Sequence, residues 1–328
     1  MPSTLSSSGS SQRSRLILAL AAVYLIWGST YLVMRWAIEG FPPFVMGGIR
    51  FTVAGAILYA FARLRGTPRP TFGEWRNAAL VGVLFFIGGN GFVAIAEKDI
   101  GSGVAASVCA TSPIWLALMT SLSGKTRPRA VEWLGLAVGL AGVVFLSAGS
   151  DLRAAPLATL ILVLAPLSWA FGSFLTTRLT LPRGLAAPGA EMLTGGLALL
   201  LVGLLRGERM SETPSIESVG ALVYLITFGS LVAFSAFAWL LANTRPTVAI
   251  SYAYVNPAIA VLLGTLMGGE ALGWTTVVGV PLIVGAVAII VVSRPRRACA
   301  DARAMRTSSG AATENALQDA LRMIEPAP

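Results

Sequence analysis

The chain has 328 residues, of which 55% are hydrophobic and 12% charged, and its net charge is +9. Soluble domains carry about 25% charged residues, so a soluble globular protein is excluded. Because the chain has no histidine and only two cysteines, Cys109 and Cys299, it cannot build a disulfide framework or a zinc site, and we expect neither a metal nor a cofactor.

Residues 1–15 are rich in serine and are predicted to form a disordered tail. Ten long apolar runs follow, each with no charge or a single charge. They are Leu16–Met34, Pro43–Ala62, Asn77–Ala96, Ile100–Gly124, Trp133–Ser150, Ala154–Thr177, Gly184–Leu205, Ser218–Thr244, Pro246–Gly269 and Ala271–Ser293. A helix needs roughly 20 apolar residues to cross the hydrocarbon of a bilayer. The runs do not alternate between apolar and polar residues, which excludes a membrane barrel. The predicted fold is an all-α polytopic membrane protein with ten transmembrane helices.

The first run follows Arg13 and Arg15 and could be mistaken for a signal peptide. It is longer than a typical signal segment and leads into Trp27 and Tyr31, with no small-residue cleavage site. We therefore interpret it as an uncleaved first helix.

The basic residues indicate how the chain is oriented. With the amino terminus placed in the cytoplasm, 18 of the 24 Lys and Arg residues fall in cytoplasmic segments, five fall outside, and Arg50 lies within a span. This is the positive-inside pattern, and it predicts that both termini are cytoplasmic in a bacterial inner membrane. The positive charge thus reflects topology and attraction to the lipid bilayer, and a nucleic-acid partner is not expected. Residues 294–328 are predicted to be a basic, disordered cytoplasmic tail.

The chain contains an internal repeat. Val104, Ala105, Ser107 and Pro113 recur 144 positions later as Val248, Ala249, Ser251 and Pro257. The predicted repeats are residues 16–150 and 154–293, each with five helices. An odd number of crossings inverts the second copy, an arrangement typical of secondary transporters with a substrate site near the midplane.

Glycines cluster within several spans, where small residues let helices approach closely in lipid. The Gly88–Gly91 run, which contains Asn90, brings four poor helix formers together. It is compatible either with packing or with a locally broken helix at a transport site.

Several motifs together resemble the drug/metabolite transporter superfamily, in particular its members with paired EamA domains. They are residues 27–31 (WGSTY), Arg35, residues 42–43 (PP), 48–51 (GIRF), 89–91 (GNG), 96–97 (AE), 168–173 (SWAFGS), 251–257 (SYAYVNP) and 268–270 (GGE). The resemblance covers roughly residues 16–292. It implies ten helices in two inverted halves, a central cavity and efflux from the cytoplasm.

Two charges lie within predicted spans, Arg50 and Glu191. Buried charges usually face a bundle interior or a polar cavity. Arg50 is either an anchor for a substrate carboxylate or phosphate, or a structural residue that snorkels or caps helix carbonyls. Glu191 is a candidate for proton coupling, or a residue near a helix start that is stabilised by the helix dipole. Glu97 is a second proton-coupling candidate, although Glu97 and Glu270 end their spans and favour a role at a gate or a helix end.

Polar residues accompany the prolines of the repeat. Asn256 follows Tyr252 by one helical turn, and Pro257 frees a backbone carbonyl. In the first copy Ser112 takes the place of Asn256 before Pro113. These residues and Asn90 either bind substrate near the midplane or form a structural kink with satisfied amides.

The aromatic residues Trp27 and Tyr31 lie four apart in the first span, and Trp169 and Ser173 repeat that spacing in the sixth. They are either packing residues or the lining of a cavity for an amphipathic or aromatic substrate.

These features predict a secondary active transporter that exports small organic solutes, driven by protons or by the solute gradient. No nucleotide-binding pattern is present. Import or exchange of a metabolite is the alternative, since topology does not fix the direction of flux. A membrane-embedded enzyme, such as one that modifies lipids, would need a convergent catalytic set, which the sequence lacks. A homodimer remains open.

Overall fold

The computed structural model describes residues 7–125, 155–210, 213–243 and 252–293, together with residues 130, 133–134, 137–138, 141–142 and 145. Within these ranges every regular element is helical, as predicted. The helices are α1 (Ser7–Gly40), α2 (Pro43–Leu64), α3 (Phe72–Gly82), α4 (Phe92–Ala96), α5 (Ser102–Cys109), α6 (Ser112–Thr120), α7 (Pro156–Thr176), α8 (Ala186–Leu205), α9 (Ile216–Tyr224), α10 (Ala233–Asn243), α11 (Tyr252–Met267) and α12 (Trp274–Ser293). Three π-helical segments are also present: Val83–Gly91, Ser121–Lys125 and Leu225–Val232.

Seven helical stretches of the described chain are long and apolar enough to cross a membrane. They are Ser14–Gly40, Pro43–Leu64, Phe72–Ala96, Ser102–Ser123, Pro156–Thr176, Ala186–Leu205 and Ile216–Leu240, and shorter apolar helices cover Val255–Met267 and Trp274–Ala286. The protein is therefore a polytopic membrane protein. Most of the predicted span Trp133–Ser150, the start of the span Pro246–Gly269 and the tail after residue 293 lie outside the described residues.

The first helix is longer than its apolar run. It begins at Ser7, so it covers most of the 1–15 segment that composition predicts to be disordered; residues 1–6 lie outside the described ranges.

Helix starts are fixed by local chemistry. Pro43 occupies the first turn of α2, where its missing N–H costs no hydrogen bond. The free amides of Phe44 and Val45 donate to Oε2 of Glu208, from the loop after α8, at 3.0 and 3.1 Å. Thr71 and Glu74 form a capping box at the start of α3.

Two of the π-helical segments occupy corresponding places in the two halves. The first, Val83–Gly91, joins α3 to α4, and the second, Leu225–Val232, joins α9 to α10. Under the 144-residue offset the two overlap. The Gly88–Gly91 run therefore widens the helix without breaking it, because glycine and asparagine tolerate the departure from α geometry. The side-chain amide of Asn90 donates to the carbonyl oxygen of Phe85 at 3.1 Å.

Helices α2 and α8 pack at backbone contact, and glycine makes this possible. A Cβ atom on Gly55 would lie 2.4 Å from the Leu193 amide nitrogen, and one on Gly196 would lie 2.4 Å from that of Thr52. This close approach brings Arg50 on α2 against the second half of the chain.

The helix that carries the first copy of the repeat is interrupted. Helix α5 ends at Cys109 and α6 begins at Ser112, since Pro113 has no N–H to continue the ladder. The hydroxyl of Ser112 donates to the Cys109 carbonyl oxygen at 2.6 Å. In the second copy, Pro257 lies inside a continuous α11.

Candidate functional site

A central cavity of about 100 Å³ lies between helices of both halves of the sequence. Eight residues that the sequence singled out line it: Trp27, Tyr31, Arg50, Asn90, Ser112, Trp169, Tyr252 and Asn256. Sites for small molecules usually measure about 300–1,000 Å³, so the cavity in this conformation is too small for a drug-sized molecule.

Trp27 on α1 is the centre of the aromatic wall. Its ring centroid lies 4.9 Å from that of Tyr252, 5.1 Å from that of Phe234 and 6.4 Å from that of Trp169. Its indole nitrogen donates to the Gly229 carbonyl oxygen, in the second π segment, at 3.1 Å. The hydrogen bond and the edge-on ring contacts fix the orientation of the indole.

Arg50 supplies the positive charge of the cavity. The residue is 3% exposed, and its Nε donates to the Ser230 hydroxyl at 3.0 Å. Its guanidinium carbon lies 4.5 Å from the centroid of the Phe51 ring. The ion pair found among the described residues, Arg35 with Glu270, does not involve Arg50. Arg50 therefore faces the cavity as a cation whose direct contacts, a hydroxyl and a ring, are neutral, while the Glu97 carboxyl acts on it electrostatically without a hydrogen bond.

Two amides reach the cavity from different halves. Asn256 on α11 is 5% exposed, and its Oδ1 has no hydrogen-bond partner among the residues described. The side-chain nitrogen of Asn90 donates to the Phe85 carbonyl oxygen, so this amide is hydrogen-bonded within the first π segment. Asn256 thus keeps an acceptor for a bound molecule, while part of the bonding capacity of Asn90 is structural.

Three predicted site residues lie away from the cavity lining. Ser173 donates to the backbone carbonyl oxygen of Trp169, one turn earlier in the same helix, at 2.8 Å. Glu191 is buried on α8, where Gly82 packs on its backbone carbonyl. Glu97, just after α4, is buried as well, and both of its carboxylate oxygens lack a hydrogen-bond partner in the described part of the chain.

Glu270 forms a polar latch that connects the two halves. Its Oε1 accepts from Arg35 Nη1 and from the Ser102 amide, each at 2.8 Å, and its Oε2 accepts from the Gly103 amide at 3.3 Å. Burial by itself would raise the pKa of this carboxyl, but the hydrogen bonds from Ser102, Gly103 and Arg35 outweigh that effect and hold the pKa below its ordinary value. We call Arg35, Glu270 and the start of α5 (Ser102–Gly103) the latch.

Sequence reasoning did not select several lining residues, among them Thr30, Met34, Cys109, Pro166 and Phe234. Phe234 could have been found, because under the 144-residue offset it is the residue of the second copy that corresponds to Asn90. Pro166 is a proline inside a helix, as Pro257 is, and could have been found in the same way. Thr30, Met34 and Cys109 carry no signal that distinguishes them from ordinary residues of an apolar helix. Groups of three or more His, Cys, Asp or Glu residues that could hold a metal are absent from the described ranges.

The similarity to known proteins covers most of the chain. The EamA-like transporter family matches residues 14–148 and again residues 156–292. The uncharacterized inner membrane transporter YedA of Escherichia coli K12 is 42% identical over 277 residues, which cover 84% of this chain and 90% of YedA. Protein PecM of Dickeya dadantii is 30% identical, over 81% of this chain and 88% of its own.

One solved crystal structure of a protein has the same fold. It superposes with a TM-score of 0.60 at 22% sequence identity, covering 84% of this chain and 96% of its own. With a family match in both halves and a relative at 42% identity, the chain belongs to the EamA-like transporter family.

Proposed function

We propose that this protein is a secondary active transporter of the inner membrane that exports small organic solutes carrying both an anionic group and an aromatic or apolar part. The central cavity would be its substrate site. Amino acids, other metabolites and drugs include molecules of this kind.

The single observation that carries the proposal is the burial of the Arg50 side chain in the cavity wall. A buried charge is costly unless a partner compensates it. The direct contacts of Arg50 are a hydroxyl and a ring, and it makes no ion pair among the described residues. A carboxylate or phosphate of the solute would accept hydrogen bonds from its fork of donors.

The aromatic wall supports the proposal that the solute also has an aromatic or apolar part. Trp27, Trp169, Phe234 and Tyr252 place ring surfaces beside the cationic end of the cavity. Such rings bury large apolar area, and the unpartnered acceptor of Asn256 offers a hydrogen bond to a polar group of the solute.

Alternating access would explain the small cavity. We propose ten spans in two inverted halves that rock against each other, with both termini in the cytoplasm. The repeated family match and the corresponding π segments support two related halves. On this topology the latch would lie on the outer side, and its contacts would keep that side closed.

The driving force would be a proton gradient or the solute gradient, with Glu97 and Glu191 as candidates for carrying the proton. Import or exchange of a metabolite would use the same cavity. An embedded enzyme is the weaker proposal, because the described residues around the cavity include one charged group, Arg50, and no His, Asp or Glu.

Counterflow into proteoliposomes tests the proposal. The probes are labelled phenylalanine, phenylalaninamide (the same molecule without its carboxylate), glucose and a cationic dye. Wild type should exchange phenylalanine. Arg50→Gln should weaken the apparent affinity for phenylalanine about 10- to 100-fold, since charge-assisted hydrogen bonds contribute about 1.5–3 kcal/mol, and should change exchange of the amide less.

The matched control is Arg209→Gln, which removes an exposed positive charge and should leave exchange unchanged. If Arg50→Gln exchanges phenylalanine with wild-type affinity, Arg50 is not the anionic anchor. If none of the four probes is exchanged, the proposed substrate class is wrong.

A further inference from the structure

Glu97 is a fully buried carboxyl group that the transport proposal leaves without an assigned partner. It is 1% exposed, and neither of its carboxylate oxygens has a hydrogen-bond partner among the residues described. An ionised carboxylate in this setting would be strongly disfavoured, whereas the neutral acid tolerates it far better. The burial and the missing partners therefore point to a carboxyl that holds a proton.

The position of Glu97 connects the cavity with the latch. It follows the cavity residue Val93 by four residues, so the two share one helix face. Its amide still donates to the Val93 carbonyl oxygen at 2.9 Å, which holds Glu97 one turn beyond the cavity. On the other side of Glu97 a turn, in which the Ile100 amide donates to the Ala96 carbonyl oxygen at 2.9 Å, leads to Ser102 and Gly103 of the latch.

The charged and titratable groups that act on Glu97 come from every side. Arg35 and Tyr31 lie on α1, Arg50 on α2, Cys109 on α5 and Glu270 before α12. Lys98 and Asp99 follow it in the chain and are exposed. Arg35 is paired with Glu270 at 2.8 Å, and Arg50 donates to the Ser230 hydroxyl. Neither of the two cations that act on Glu97 therefore makes a hydrogen bond to it.

We propose that Glu97 is a proton-binding site that controls the latch, an inference that rests on the proposed transport function. With the proton bound, Glu97 is neutral and Arg35 stays with Glu270. When the O–H bond breaks and the proton leaves to water, the new carboxylate attracts Arg35 and repels Glu270, which weakens the latch.

The sign of this effect agrees with proton-driven export. A protonated Glu97 favours the conformation closed on the outer side, and a deprotonated one favours opening there. A transporter that releases its solute outside and then takes up a proton from the same side would close the latch by that uptake.

A metal cation bound by Glu97 and Glu270 is a less well supported alternative to the proton. Hard cations take six or more oxygen ligands, or several waters. Both oxygens of Glu270 are already occupied by Arg35 and by backbone amides. Sodium is therefore included as an outcome of the test.

Infrared difference spectroscopy tests the site without any transport. The full chain is reconstituted in vesicles of phosphatidylethanolamine and phosphatidylglycerol, and spectra are recorded as the pH is raised. Wild type should lose a carbonyl-stretching band of a protonated carboxylic acid. Glu97→Gln should lack that band, Glu97→Asp should keep a shifted one, and the matched control Glu191→Gln should retain the Glu97 band.

Thiol labelling then tests the latch. In a Cys299→Ser background, Cys109 is the single remaining cysteine and lines the cavity. An impermeant maleimide added outside should label Cys109 faster as the pH rises in wild type and in Glu97→Asp. Labelling of Glu97→Gln should rise less steeply with pH than that of wild type, because only the ionisation of the Cys109 thiol then contributes to the rise.

Three results would overturn the proposal: an unchanged carboxyl band in Glu97→Gln, a band that responds to sodium chloride but not to pH, or labelling of Glu97→Gln that rises as in wild type. The infrared result does not depend on any solute. A failure of the counterflow screen would therefore leave it standing and is distinguishable from a failure of this site.

Discussion

Nη1 of Arg35 lies 2.8 Å from Oε1 of Glu270, and this contact joins the end of α1 to the loop between α11 and α12. The same carboxylate accepts the free amides of Ser102 and Gly103 at the start of α5. One acidic side chain of the second half thereby holds two helices of the first half. Because Glu270 links these helices, it should contribute to the free energy of unfolding and to the pH dependence of that free energy.

We predict that Glu270→Gln lowers the free energy of unfolding by about 1 kcal/mol. Loss of a helix cap typically costs about 1 kcal/mol, and the half-exposed ion pair with Arg35 adds a fraction of that. The midpoint of thermal unfolding in detergent measures the change. Glu39→Gln, at an exposed position near the end of α1, is the control and should be neutral.

The pH dependence of this difference has a definite sign. Because the pKa of Glu270 is lowered in the folded protein, its stabilisation is present above the unfolded pKa of about 4.3 and is lost as the pH falls through the folded value. The gap between wild type and Glu270→Gln should shrink as the pH falls below about 4. A gap that widens as the pH falls would contradict the assigned hydrogen bonds.

The contact between α2 and α8 gives a second prediction. Gly196→Ala should destabilise the protein by about 2 kcal/mol or more, because its new Cβ would lie 2.4 Å from the Thr52 amide nitrogen and the backbone cannot give way easily. Thermal unfolding in detergent measures the loss.

Gly220→Ala is the matched control for that substitution. A Cβ on Gly220 of α9 has no atom within 4 Å, and alanine favours a helix over glycine by up to about 1 kcal/mol. This variant should be as stable as wild type or more stable. Equal destabilisation by both alanines would show that helix propensity, and not the close approach of α2 and α8, determines the outcome.

The composition of the chain was enough to predict the helical membrane fold, since no other structure tolerates long apolar runs in lipid. Spacing also selected part of the cavity, because residues four apart share a helix face. Trp27 with Tyr31 and Tyr252 with Asn256 are both of this kind, and all four line the cavity.

What the sequence could not provide were the contacts between distant segments. The pairing of Arg35 with Glu270 spans 235 positions, and no local pattern specifies it. The depth of Glu97 was hidden for a similar reason. Its position at the end of an apolar run favoured a gate or helix-end residue, whereas neighbouring helices bury it completely.

The last prediction concerns the two cavity amides, which differ in their hydrogen bonds. Asn256→Leu should leave membrane insertion and the unfolding midpoint nearly unchanged and abolish phenylalanine counterflow. The reason is that Asn256 Oδ1 is buried without a partner in the described residues, so leucine removes an acceptor that only a solute would use. Asn243→Leu, which removes an exposed amide bonded to Trp239, should retain counterflow.

Asn90→Leu separates a structural role from solute binding. It should also abolish counterflow. In addition, it removes the hydrogen bond from the Asn90 side chain to the Phe85 carbonyl oxygen at 3.1 Å, which lies within the first π segment. Its unfolding midpoint should therefore fall, by an amount near the roughly 1 kcal/mol of one hydrogen bond, while that of Asn256→Leu does not. Wild-type counterflow in both variants would remove the central cavity as the solute site, because these two amides approach it from opposite halves of the chain.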